Sequence, residues 1–401
     1  MNTGLAARRR FVLVLGLLTG LAAVSVDMSL PAIPQMVEAL ATSMSLGQLI
    51  VGFFMAGLAL GQVPAGLLSD RLGRMPVLYG GVAIFTLAAL LCSLSSSIEL
   101  MLAARFLQGL GASVGVVVAR AIVRDIASGR DAARLMSALV MIFTAAPMLA
   151  PLIGSFLVTA WGWRAPFLAI AVFGFLMFYS LHTTLRETHV PVLEHHFLRQ
   201  LWMSLREFFS HRQSVLGLLL TLLPAAGFMS LITGSSALVI EIYAYPVAAF
   251  GFIFALAGLS ILGGSTLNRR LLLRFTSMQG IGIGATLMVI ASVQLLFIAW
   301  LNDAAFWWLW GNVCLFLFST GFVLPNATAL ALDPVPRIAG VAASIIGTVQ
   351  NLAGASSAIA SGMLYDGSVR NLTFLMGFFG IATGIVFLLR GYIARSSGTV
   401  T

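Results

Sequence analysis

Charged residues are too scarce in this chain for water to be the solvent of most of its surface. Only 9% of its 401 residues are Asp, Glu, Lys or Arg, and 60% are hydrophobic. A soluble domain carries about 25% charged residues. The solvent must largely be lipid, where every backbone polar group has to be satisfied inside the chain. An apolar run of about 17–25 residues crosses a bilayer as a helix. Twelve such runs can be read, near 11–34, 46–69, 77–96, 99–122, 136–159, 164–185, 213–237, 247–268, 277–300, 305–330, 339–363 and 371–390. The expected fold class is an all-α membrane protein of twelve transmembrane helices in two pseudo-symmetric six-helix bundles. The halves would be 1–185 and 213–401, joined by a linker over 186–212.

The gaps between runs alternate in charge. One set holds Arg8–Arg10, Arg71, Arg74, Arg124, Arg130, Arg134, the linker arginines from Arg186 to Arg212, Arg269, Arg270, Arg274, Arg337, Arg390 and Arg395. The other holds Arg164 and Arg370 with Glu38, Glu99, Asp303 and Asp366. Positive-inside bias then puts both termini and the linker in the cytoplasm. The net charge of +9 contains no lysine contribution. Arginines confined to short gaps fit a membrane face and argue against nucleic acid. Cys92 and Cys314 lie within apolar runs and read as buried thiols. The first run follows Arg8–Arg10, so a signal peptide cleaved near residues 21–25 is the alternative to a retained first helix. With many spans following, a retained helix is expected.

In the linker, Phe197, Leu198, Leu201, Trp202, Leu205, Phe208 and Phe209 recur at helical spacing, with Arg199, Arg206 and Glu207 off the stripe. This predicts an amphipathic helix on the inner membrane surface. His189, His195, His196 and His211 flank it and read as a solvated linker rather than a metal site. No cofactor is expected. A membrane-embedded enzyme would need a catalytic or metal cluster, and no histidine lies deep in a run.

Four stretches carry chemistry. Gly66-Leu-Leu-Ser-Asp70-Arg71-Leu-Gly73-Arg74 sits at a tight turn. Gly73 permits an unusual φ, and Asp70 can cap a helix or pair with arginine. A faint echo, Gly264-Ser-Thr-Leu-Asn268-Arg269, lies in the second half. Asp27, in Val26-Asp27-Met28-Ser29-Leu30-Pro31, is an acid inside a span, which is costly unless it has a partner or a wet cavity. Arg105, in Arg105-Phe-Leu-Gln108-Gly109, lies at a matching depth and is its expected partner. Pro147 and Pro151, with Gly154 beyond them, should bend the fifth span.

These stretches, with Trp163-Arg164-Ala-Pro-Phe167, resemble the Bcr/CflA-type drug:proton antiporters of the major facilitator superfamily. The resemblance implies alternating access and export of small, mostly apolar drugs or metabolites, with antibiotic resistance as the phenotype. The alternative is an uptake symporter for a small nutrient on the same fold. It makes Asp27 the proton-carrying acid with Arg105 as neighbour, and Gln108 a polar wall of the substrate cavity. Pro147, Pro151 and Gly154 become the antiporter kink. It makes Gly66, Asp70, Arg71, Gly73 and Arg74 a conformational lock, with Arg120, Arg124 and the start of the eleventh span near Ala339 as partners. Met141, Met148, Asn312, Asn326, Gln350 and Asn351 join Gln108 in spans that line the cavity of this fold. The expected partners are a small-molecule substrate, protons and the lipid bilayer. The protein is expected to be a monomer in the bacterial inner membrane.

Overall fold

The computed structural model describes residues 2–127, 129–189 and 197–391. The regular structure among them is helical. In chain order the helices are α1 (Asn2–Ser29), α2 (Ile33–Ala39), α3 (Met44–Leu72), α4 (Arg74–Leu94), α5 (Ile98–Ile126), α6 (Gly129–Trp161) and α7 (Ala165–Thr184). They continue with α8 (Phe197–Ser210), α9 (Arg212–Ser236), α10 (Val247–Leu271), α11 (Ser277–Leu301), α12 (Phe306–Leu332), α13 (Ala339–Met363) and α14 (Arg370–Leu388). Among the described residues eleven spans are long and apolar enough to cross a membrane, and Met148–Trp161 of α6 is a shorter apolar helix. With α6, a 33-residue helix, these occupy the places of the twelve predicted runs.

Local chemistry sets the breaks. Pro31 has no N–H for the carbonyl of Asp27, so α1 stops at Ser29 and a 3-10 turn, Leu30–Ala32, follows. Gly73 separates α3 from α4 with a φ of +97°, where a side chain would be strained. Ser43 and Ser97 cap α3 and α5 through their hydroxyls. Thr276 and Gln279 form a capping box at α11.

The chain forms two compact units. The first comprises Met1–Leu193 with Ser235–Ala255, the second Glu194–Gly234 with Leu256–Thr401. The segment Ser235–Ala255 meets the first unit where Gly251 lies against Pro151 and Leu152. In the first unit, α3 and α5 pack backbone to backbone. Gly57 leaves room for the carbonyl of Phe106, and Gly109 for that of Phe54. In the second, Gly264 admits the carbonyl of Phe318, and Gly321 faces Ile261 and Ser265. The linker helix α8 belongs to the second unit. Phe208 is fully buried with Leu218, Ala331, Val335, Ala342, Ile345 and Ile346, so one edge of the amphipathic stripe seats on protein.

Candidate functional site: a buried acid, a buried guanidinium and a charged turn

Arg105 is completely buried in α5, and its guanidinium ties three helices together. Its Nη1 donates to Gln108 Oε1 at 2.8 Å and to Ser25 Oγ at 3.0 Å. Longer bonds reach the Ser25 carbonyl, Ser29 Oγ and the Ile50 carbonyl, at 3.4, 3.4 and 3.5 Å. The Phe54 ring lies 4.5 Å from the guanidinium carbon and Phe167 5.8 Å. Carbonyls, hydroxyls and aromatic faces therefore carry the charge, with no carboxylate among the described residues.

Asp27 is only 2% exposed. It makes no ion pair or hydrogen bond with any described residue. The expected pairing of Asp27 with Arg105 is therefore corrected. The reason lies in the helical register of α1. Ser25 and Ser29 share the face that Arg105 grips, and Asp27 stands about 160° round the helix from each. Gly154 brings α6 onto α1 beside this acid, since a Cβ there would collide with the Met28 carbonyl. Pro151 is buried one turn earlier in α6, and Ser155 next to Gly154 has a buried hydroxyl without a described partner. The side chains of 143–147, Pro147 included, lie outside the described set.

The turn after α3 holds a second constellation. Arg74 pairs with Asp70 one turn back, and its Nε lies 2.8 Å from Asp125 Oδ2 at the end of α5. Nη1 also donates to Ser69 Oγ at 2.9 Å. The partners expected for Asp70 are thus corrected. Arg120 and Arg124 are exposed and make no ion pair among the described residues, as does Arg71. Asp70 is no helix cap either. Glu187, from the strand of chain after α7, accepts from the Arg74 and Met75 backbone N–H groups, each at 2.9 Å. Its carboxylate fills the space a side chain at Gly73 would need. Burial works against the Glu187 charge, but these N–H groups prevail and hold its carboxyl below the ordinary value. Thr188 donates to Asp125 at 3.1 Å, and His189 Nε2 lies 3.2 Å from the Asp70 carbonyl. His189 is thus docked rather than solvated, while His195 and His196 fall outside the described residues. Gly66 sits in ordinary contact with Val117.

The predicted cavity residues fall in both units, Gln108, Met141 and Met148 in the first and Asn312, Asn326, Gln350 and Asn351 in the second. Gln108 is buried on Arg105, and its Nε2 has no described partner. Met141 is exposed; Met148, Gln350 and Asn351 are half-buried. Asn326 donates to Asn268 Oδ1 at 2.8 Å and packs against Gly280. That polar clasp joins α10, α11 and α12 where the echoed turn has Asn268 in place of an acid. Asn312 donates to the Trp308 carbonyl at 2.9 Å and to Gln294 at 3.4 Å. Sequence reasoning missed Asp125, Glu187, Ser25 and Ser29. The serines were findable, since they flank Asp27 at a four-residue spacing on one helical face. Asp125 was one of two acids, with Asp131, in a gap otherwise rich in arginine. Glu187 gave no signal beyond its place after a span.

The sequence profile of the Major Facilitator Superfamily matches residues 15–358. A bicyclomycin resistance protein homolog of Haemophilus influenzae is 30% identical over 348 residues, 86% of this chain and 87% of its own. Multidrug resistance protein D of Escherichia coli is 29% identical over 370 residues, 92% and 93% of the two chains. The MFS-type transporter YdgK of Bacillus subtilis is 31% identical over 352 residues, 86% and 87% of the two chains. Among solved structures, a D-xylose-proton symporter superposes with a TM-score of 0.77 at 17% identity, over 95% of this chain and 96% of that one. A bacterial homolog of the lysosomal transporter Spinster gives 0.76 at 16% identity, over 98% and 99%. The chain therefore belongs to the Major Facilitator Superfamily, in its Bcr/CflA-type branch, and is a multi-pass membrane transporter and not an enzyme.

Proposed function

We propose that this protein is a proton-coupled antiporter that exports small, mostly apolar drugs or metabolites from the cytoplasm by alternating access of two six-helix halves. It works as a monomer in the inner membrane, with both termini cytoplasmic. Asp27 carries the proton. Arg105 and Gln108 shape the polar wall behind it, Pro151 and Gly154 set the kinked contact of α6 with α1, and the Asp70–Arg74–Asp125 turn is the lock.

The observation that carries this reading is the burial of Asp27 with no ion pair to any described residue. An acid in a span is expensive and has a use. With no salt bridge to a described residue to break, it can gain and lose a proton while its helix stays gripped by Arg105 on the opposite face. The drug-resistance names of the relatives support export as the direction. One proton moving down 100 mV supplies about 2.3 kcal/mol, enough for nearly 50-fold accumulation of a neutral solute. The test is Asp27→Asn in inverted membrane vesicles. Substrate-induced proton release from energised vesicles should be seen in the wild type and be absent in the variant. Intact coupling in the variant sinks the assignment, and a proton flux in the sense of uptake replaces export by symport.

A further inference from the structure

At one end of the second unit, cations without a partner among the described residues stand together with bare apolar side chains. The turn between α10 and α11 reads Arg269-Arg270-Leu271-Leu272-Leu273-Arg274-Phe275. Leu273 is 86% exposed, and Leu272 and Phe275 are also exposed. The turn is nevertheless fully wound. Leu272 N–H bonds the Asn268 carbonyl at 2.9 Å, and the Arg274 and Phe275 N–H groups bond the Leu271 carbonyl at 2.8 and 2.9 Å. Loose chain does not explain the exposure. Arg269, Arg270 and Arg274 are exposed and make no hydrogen bond or ion pair with a described residue. No Asp or Glu occurs between Glu241 and Asp303 to serve as one nearby in sequence.

The linker helix repeats this pairing at the same end, where α12 finishes and α13 begins. Phe208 is sunk in the protein, while Trp202 and Phe209 remain 67% and 49% exposed. By helical register these two stand about 100–120° round from Phe208, and Arg206 about 40° beyond Trp202. Circling α8, one meets protein, then an aromatic edge, then an exposed cation with no partner among the described residues. That is the sequence of environments at a lipid interface. The opposite end of the same helices differs. Asp303 and Asp366 lie there, and Ser368 bonds the Asp366 carboxylate at 2.7 Å.

We propose that the α10–α11 turn and the outer edge of α8 form a binding surface for anionic phospholipid. Leu273 and Phe275 of the turn and Trp202 and Phe209 of α8 enter the acyl region at this end, and the three turn arginines engage phosphate headgroups. This rests on the proposed orientation only for the choice of leaflet. Charge complementarity and exposed apolar tips in one ordered turn favour lipid over a soluble anion.

The test measures retained lipid on the purified full-length protein by native mass spectrometry, titrating phosphatidylglycerol against phosphatidylcholine. It does not depend on transport. The wild type should prefer phosphatidylglycerol. Each arginine near an anionic surface is worth about a fivefold change, so Arg269→Gln, Arg270→Gln and Arg274→Gln combined should remove the preference. The corresponding three Arg→Lys changes should retain most of it. Leu273→Ser should weaken binding of both lipids. Should the triple glutamine variant fold poorly, Arg274→Gln alone is read, with a fivefold loss expected. Equal binding of the two lipids by the wild type overturns the proposal, as does undiminished preference in the glutamine variants. Displacement by soluble glycerol phosphate at the same concentration also overturns it, in favour of a free-anion site.

Discussion

Arg105 spends its donors on α1 and α3 as well as on its own helix. Nε faces Ile50, Nη1 serves Ser25 and Gln108, and Nη2 faces Ser29. A lysine keeps the charge but offers one nitrogen in place of a planar fork. Arg105→Lys should therefore destabilise the protein by about 2 kcal/mol, seen as a lower unfolding midpoint in detergent. A role limited to supplying positive charge predicts no such loss. Glu187 gives a prediction with a pH signature. Its folded-state carboxyl is held below the ordinary value of 4.5, so its contribution to stability is present above that pH and lost as pH falls through the depressed value. Glu187→Gln should lower the unfolding midpoint at neutral pH, by about 0.5–1 kcal/mol, in the range of a helix cap. The gap from wild type should close in acid. A gap of constant size would mean that the charge is not what holds the α4 terminus. At this scale the sequence revealed which buried ions matter, because a charge in an apolar run stands out. It did not reveal their partners. The helical register alone turns Asp27 away from the face Arg105 grips, and that reading required attention to two serines of unremarkable chemistry.

Glycine decides how closely the helices meet. Gly154 of α6 abuts the Met28 carbonyl, whereas nothing lies within 4 Å of a Cβ built on Gly80 of α4. Gly154→Ala must push α6 from α1 at the level of Asp27 and should cost about 1–3 kcal/mol, together with a large loss of turnover. Gly80→Ala should stabilise its helix by up to about 1 kcal/mol. Comparing the two by thermal unfolding and by substrate flux separates a packing role from general glycine intolerance. Equal effects would refute the packing account. Hydropathy located these helices well in their apolar middles. It ended α3 near 69 and α5 near 122, but the helices run on to Leu72 and Ile126. Hydropathy reports where lipid ends. Backbone hydrogen bonding continues past that level into Arg71, Arg124 and Asp125, which the charged turn requires to be helical. The stripe in α8 was legible for the same reason the spans were, but its division between protein and exposed edges was not. Periodicity shows an apolar face without saying what covers each side of it.

The orientation of the whole chain is a charge argument and can be tested without a substrate. With only Cys92 and Cys314 native, two alanine substitutions give a cysteine-free background. Cys92 is fully buried and Cys314 half-buried, so Cys92→Ala carries the greater packing risk and Cys92→Ser is the fallback. Single cysteines then go to positions at the two ends of the helices, three of them exposed and Ser368 half-buried. Ser96 and Ser368 flank the turns poor in arginine, and Thr276 and Gly391 those rich in it. A membrane-impermeant maleimide should label Ser96→Cys and Ser368→Cys in intact cells, and Thr276→Cys and Gly391→Cys only after permeabilisation. Positive-inside bias acts on the short loops that carry the arginines, so all four sites must agree. A reversed pattern would place Arg74, Asp125 and Glu187 outside and invert the sense of the proposed lock. Disagreement between Ser96 and the three sites of the second half would mean that the halves face opposite sides, which six spans in each half joined by one linker do not allow, and would overturn the span count.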